Sequence, residues 1–303
     1  MDERAFRALH ARLRDEARAG GAGARGALDH MTPERVVAAA AEVRLGRAIS
    51  LASPIETRPG PDSPDPACHW LTGPVFDERG TDGVRFATDR FAMNVHGDAD
   101  SHLDALCHVV FDGESYAGSP AGDGAEGTHP LTVDLVANGV VGRGVLLDIP
   151  GLRGAAWLEP GAEVTADDLT AAESAQGVRV GPGDILLVRV GHRGRRRELG
   201  PWNAARARAG LHPTAMEFLA DRKVAVLGGD GNNDAAPSSV TGVDFPVHVL
   251  AMQAMGMHLL DYLQFEELAP ACAEARRWSF LCVIAPLRLP AATGSPVNPI
   301  AVL

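Results

Sequence analysis

Paired cysteines are missing from this sequence: its four, Cys68, Cys107, Cys272 and Cys282, stand apart with no Cys-x-x-Cys motif. That spacing excludes the stapled framework of a small secreted domain, and free thiols are expected. No stretch reaches the ~18 uninterrupted apolar residues that a helical membrane span needs. The start, Met1-Asp2-Glu3-Arg4, also lacks the charged-then-apolar layout of a secretory signal. A soluble, cytoplasmic protein without a membrane partner is the expectation. Positive charge is in deficit, with 28 Lys and Arg against 39 Asp and Glu and a net charge of −11. Phosphate binding is driven by clustered cations, so no nucleic-acid partner is expected. The one dense basic run, Arg193 to Arg197, reads as a solvated loop. Internal repeats and low-complexity tracts are absent too.

What is present is enough apolar chain for a large core: 303 residues, 46% hydrophobic and 22% charged. Phe6, Leu9 and Leu13 recur at helical spacing, so residues 2 to about 18 are read as an amphipathic helix that ends at the Gly20-Gly21 break. Thr32-Pro33-Glu34 opens a second helix to Leu45. Together these form an N-terminal helical arm, residues 1–45, expected to pack apart from a body spanning 46–303. In the body, strands are expected at Arg47 to Pro54, Val140 to Ile149, Asp184 to Val190, Val224 to Leu227 and Ser279 to Leu287. Helices are expected at Thr165 to Gln176, Pro213 to Arg222, Phe245 to Met255 and Phe265 to Ala275. This alternation indicates a mixed α/β fold, a central mixed sheet or barrel-like β core with helices packed on it.

The segment His96 to His108 holds three His and three Asp. In an extended chain His96, Asp98, Asp100, His102, Asp104 and His108 share one parity, so one face could carry them all. Imidazoles and carboxylates at this density, flanked by Phe91, Met93, Val109, Val110 and Phe111, are costly to bury unless paired or bound to a metal. The donor types suit Zn²⁺ or Mn²⁺.

His102-x-Asp104-x-x-x-His108, followed by Asp112-Gly113 and Tyr116, resembles the cyclase-family motif His-x-Gly-Thr-His-x-Asp-x-Pro-x-His. That family includes kynurenine formamidase and isatin hydrolase, which are metal-dependent hydrolases. Gly142 to Asp148, Gly183 to Gly191, Val224 to Asp230 and Ala285 through Pro299 resemble its successive blocks, in family order, from about Gly46 to Leu303. The resemblance implies that His102 and Asp104 are metal ligands and that His108 transfers protons. Asp98 stands where the family has its first His, Asp100-Ser101 replaces Gly-Thr, and Leu106 replaces Pro. Either Asp98 or His96 fills the first ligand position. A later block, Pro246-Val247-His248 with Asp261-Tyr262, resembles the segment whose His and Glu complete a two-metal site; Asp261 takes the place of the Glu.

Other motifs carry less. Gly229 and Gly231 make no dinucleotide fingerprint, and Asp230-Gly231-Asn232-Asn233-Asp234 reads as a turn. His129 and His212 precede prolines and read as loop residues, while His192 is a weaker candidate for the pocket. No Gly-x-Ser-x-Gly elbow occurs, and Cys107 would face away from its neighbours on an extended strand. The expected chemistry is metal-assisted hydrolysis of a small amide, formamide, lactam or ester-like molecule. A lyase or cyclase using the same Lewis acid is the alternative, and a ligand-binding protein without catalysis the third reading. By family likeness the chain is expected to form a homodimer or homotetramer, with the apolar stripe of the first helix as a motive.

Overall fold

The computed structural model describes residues 1–21, 23–75, 86–119 and 129–303. Helix α1, Glu3–Ala19, starts where the Asp2 carboxylate accepts the Ala5 N–H, with Glu3 in the first turn and Arg18 in the last to complement the helix dipole. Its stripe of Phe6, Leu9 and Leu13 lies in the same apolar cluster as Val145, Leu186, Leu227 and Leu250. The expectation that the arm packs separately therefore fails. The body has an apolar surface to offer and α1 fills it, which also removes the stripe as a motive for assembly. A backbone bond from Ala27 N–H to the Gly256 carbonyl, 2.8 Å, ties the arm down further. Gly26 and Gly256 cross there with positive φ, so closely that a Cβ on either would collide with the other. Phe6 is fully buried. Phe6→Ala is expected to lower unfolding stability by about 3–5 kcal/mol, read as a fall in the urea midpoint at unchanged slope.

The strands are β1 (Ala48–Ser50), β2 (Cys68–Val75), β3 (Phe86–Ala92), β4 (His102–Asp104), β5 (Val140–Asp148), β6 (Glu163–Val164), β7 (Ile185–Arg189), β8 (Gly210–Leu211), β9 (Val226–Gly229), β10 (His258–Asp261), β11 (Ser279–Ile284), β12 (Gly294–Pro296) and β13 (Ile300–Val302). Nine of them form one mixed sheet in the order β1-β13-β11-β5-β7-β9-β10-β4-β12. Its centre, β5-β7-β9-β10, is parallel and its flanks are antiparallel. The central strands carry consecutive buried apolar residues, Val145 to Leu147, Ile185 to Val188, Val226–Leu227 and Leu259–Leu260, because both faces are covered. Leu186, Leu227 and Leu259 enter one apolar layer, while Leu187, Val226 and Leu260 enter the other. The pairs β2-β3 and β6-β8 stand outside this sheet.

Helices α2 (Pro33–Ala40), α3 (Ile149–Leu152), α4 (Ala166–Gln176), α5 (His192–Leu199), α6 (Ala215–Arg222), α7 (Pro246–His248) and α8 (Leu268–Ala275) complete the fold. The expected capping box forms on α4, where Thr165 and Asp168 bond each other's backbone N–H. The helix expected from Phe245 to Met255 is instead α7 running into a π-helical turn, Val249–Ala254. The basic run is a second departure: it forms α5, and Arg193 is buried. Its guanidinium donates to the carbonyls of Leu263, Ala99 and Tyr262, so the buried cation is met by main-chain acceptors. Among the described residues no helix is long and apolar enough to cross a membrane.

Candidate metal centre

Strand β4 lies between β10 and β12, with His102 opposite Asp261 in the antiparallel β4-β10 ladder. Residues two apart on a strand share a face, as do directly opposed residues of neighbouring strands. His102, Asp104 and Asp261 are therefore presented together. The end of α7 adds His248. Two sets of donor atoms result, His96, His102 and Asp104 in one and Asp104, His248 and Asp261 in the other, each with its atoms within 4.8 Å of one another. Asp104, fully buried, belongs to both. Its Oδ1 lies 2.8 Å from His96 Nδ1 and 3.6 Å from His102 Nε2, and its Oδ2 lies 3.5 Å from His248 Nε2. His248 Nε2 is also 3.4 Å from Asp261 Oδ2.

The single-face reading of residues 96 to 108 needs correction. Only His102–Asp104 is strand; His96 comes from the bend before it and His108 from the turn after. Their rings stack at 3.6 Å and 6°, so the segment converges by folding back on itself. Gly294 permits this approach, since a Cβ there would sit 2.7 Å from His96 Cε1. Cys107, as expected, is not among the residues lining the site cavity.

An outer layer orients these donors. Asp234 accepts the His248 Nδ1–H at 2.5 Å and the main-chain N–H groups of Val247 and His248 at 2.6 and 3.0 Å. His248 Nε2 is thereby directed at Asp104 and Asp261. Asn233 donates to Asp261 Oδ1 at 2.5 Å and Asn232 to Oδ2 at 2.8 Å. The Asp100 carbonyl lies 2.8 Å from His102 Nδ1. The stretch read as a turn, Asp230 to Asp234, is thus the support of the second donor set. Only its short polar composition after a strand could have signalled this. Asp230 itself is buried, accepting the N–H groups of Val190 and Gly191. His192 packs against Trp202 and Tyr262 and does not line the site cavity.

Electrostatics follow from this crowding. Burial disfavours the Asp104 carboxylate, yet the imidazoles of His248, His96 and His102 outweigh it and hold its pKa well below the usual range. Burial likewise disfavours the His248 imidazolium, but Asp261, Asp104 and Asp234 raise its pKa well above the ordinary value. His108 lacks such pairing, and burial pushes it down to about 4 against the pull of Asp104.

The two donor sets open on a cavity of about 570 Å³ also lined by Asp98, His108, Asn232, Phe111 and Phe245. Asp98 joins neither set; its Oδ1 accepts the Tyr262 hydroxyl at 2.6 Å. Asp104 Oδ2 is buried without a hydrogen-bond partner, the condition that a cation would relieve. Two carboxylates and three imidazoles on a shared locus suit a borderline divalent ion. Accordingly, His96→Ala is expected to lose bound metal and Asp98→Ala to retain it, by elemental analysis of the purified variants. The opposite pattern would return Asp98 to the ligand set.

Fold and site together define an α/β protein whose mixed sheet presents overlapping His/Asp donor sets at one cavity. The chain belongs to the cyclase family: the family described as "Putative cyclase" matches residues 43–233. The crystal structure of a novel cyclase is 30% identical, with 97% of this chain and 99% of that one aligned and a TM-score of 0.85. Isatin hydrolase A from Ralstonia solanacearum shares the fold at 22% identity over 89% of this chain and 97% of its own, TM-score 0.60. Isatin hydrolase A from Labrenzia aggregata bound to benzyl benzoate does so at 21% over 88% and 97%, TM-score 0.59. None of the curated proteins compared with the chain matches it.

Proposed function

We propose that this protein is a metal-dependent hydrolase of a small amide, formamide, lactam or ester-like substrate. The observation that carries this reading is Asp104, buried and shared by two His/carboxylate sets at the floor of a cavity that also holds His108. His96, His102 and Asp104 would hold one ion, and Asp104, His248 and Asp261 a second; the donors suit Zn²⁺ or Mn²⁺. A divalent ion held by these residues would supply Lewis acidity towards water and a carbonyl oxygen. His108, neutral at pH 7, accepts a proton from the attacking water and returns it to the leaving nitrogen or oxygen. Asp234, Asn232 and Asn233 keep the ligand geometry through this cycle. The isatin hydrolases of the same fold make a lactam a natural member of the test panel.

The decisive experiment is turnover of formylated anilines, isatin-like lactams and small lactones by protein reconstituted with Zn²⁺ or Mn²⁺ in ¹⁸O-labelled water. Hydrolysis places the label in a product carboxylate. Loss of water or ring formation without label would instead establish a lyase or cyclase. Assembly into a homodimer or homotetramer belongs to the same proposal, supported by Trp70, Leu71, Phe86 and Phe91 exposed on the β2-β3 hairpin. Light scattering at micromolar concentration should give a multiple of 31.8 kDa; a monomer mass would refute it.

A further inference from the structure

We propose that the cavity selects its substrate by charge, favouring an apolar body that bears a cationic group and rejecting an anionic one, with Asp98 as the main selector and Asp244 as the second. The inference rests on the hydrolase reading for the identity of the reacting group, but the charge preference is a property of the cavity itself.

Four aspartates line the cavity: Asp98, Asp104, Asp244 and Asp261. Asp104 and Asp261 belong to the donor sets, where imidazoles and an ion would balance them. Asp98 and Asp244 are left to meet whatever else enters. No Lys or Arg is among the described residues that line the cavity. Val109, Phe111, Val243, Phe245 and Val249 supply an apolar part of the wall. An ammonium entering beside these side chains would gain a carboxylate partner; a substrate carboxylate would meet like charge next to low-dielectric surface, where screening is weakest.

Asp98 is the better placed of the two. It is partly buried, whereas Asp244 is exposed, so solvent weakens the second interaction more. The fully buried Tyr262 donates its hydroxyl to Asp98 Oδ1 at 2.6 Å, and the Tyr262 N–H is bonded to the Gly231 carbonyl at 2.9 Å. The carboxylate is thus fixed in direction. Because His96 occupies the donor set that Asp98 would otherwise complete, Asp98 is free to face the substrate.

The test uses the full chain loaded with Mn²⁺ and three formanilides differing only at the para position: aminomethyl, methyl and carboxylate. Both kcat/KM and equilibrium affinity by calorimetry are measured, with wild type, Asp98→Asn, Asp244→Asn and the double variant. Asparagine keeps an acceptor for the Tyr262 hydroxyl while removing the charge. Wild type is expected to prefer the aminomethyl compound over the carboxylate by about tenfold or more, the scale of one partly screened charge pair. Asp98→Asn should remove most of that preference and the double variant nearly all of it, with metal content unchanged. Failure to turn over any of the three would refute formamide hydrolysis, while their affinities would still rank the charges. A wild-type preference at or below one, or one that persists in the double variant, would overturn charge selection.

Discussion

Asp104→Ala should leave the purified protein without stoichiometric metal and without measurable hydrolysis. Both donor sets pass through this residue, so one substitution opens two coordination spheres. His102→Ala removes a donor from one set only, and should lose metal less completely. Elemental analysis and a metal-dependent thermal shift read the two effects, with circular dichroism confirming that the sheet is retained. Asp104 is fully buried among imidazoles, so Asp104→Asn is the companion variant that preserves volume. Wild-type metal stoichiometry in either Asp104 variant would refute the shared-ligand arrangement.

His108→Ala is expected to keep its metal yet lose about 10²–10⁴ in kcat, the usual worth of general acid–base catalysis. His108 lines the cavity and stacks on His96 but joins neither donor set. The pH profile gives an independent reading. With its pKa near 4, the ring is neutral and competent as a base above that value. Activity that depends on it should fall as pH drops through about 4, not through the ordinary 6.5. Metal loss in His108→Ala, or a kcat within about threefold of wild type, would show that His108 is not the proton carrier.

Local sequence carried much of the site. His102, Asp104 and His108 fall within seven residues, so their meeting needed only a short strand and a turn. The central strands were legible for a related reason: the apolar runs Val145 to Leu147 and Ile185 to Val188 have few other places to be buried. His248 and Asp261 lie far along the chain from Asp104, and only likeness to a known family linked them before the fold did. Asn233 and Asp234 had no such signal, because a short polar stretch after a strand is most often a turn.

The residue types and spacing by themselves determined the mixed α/β class and the His/Asp cluster, since both rest on interactions within a few residues. Tertiary structure alone decided that α1 belongs to the core, that Arg193 is buried beneath main-chain carbonyls, and that His96 rather than Asp98 stands with His102 and Asp104. Each of those outcomes involves a partner remote in sequence: the apolar layer under α1, the carbonyls of Leu263 and Tyr262, and the Tyr262 hydroxyl that donates to Asp98. Amphipathic spacing shows that a side chain needs a partner; which surface supplies it is set by how the sheet brings distant segments together.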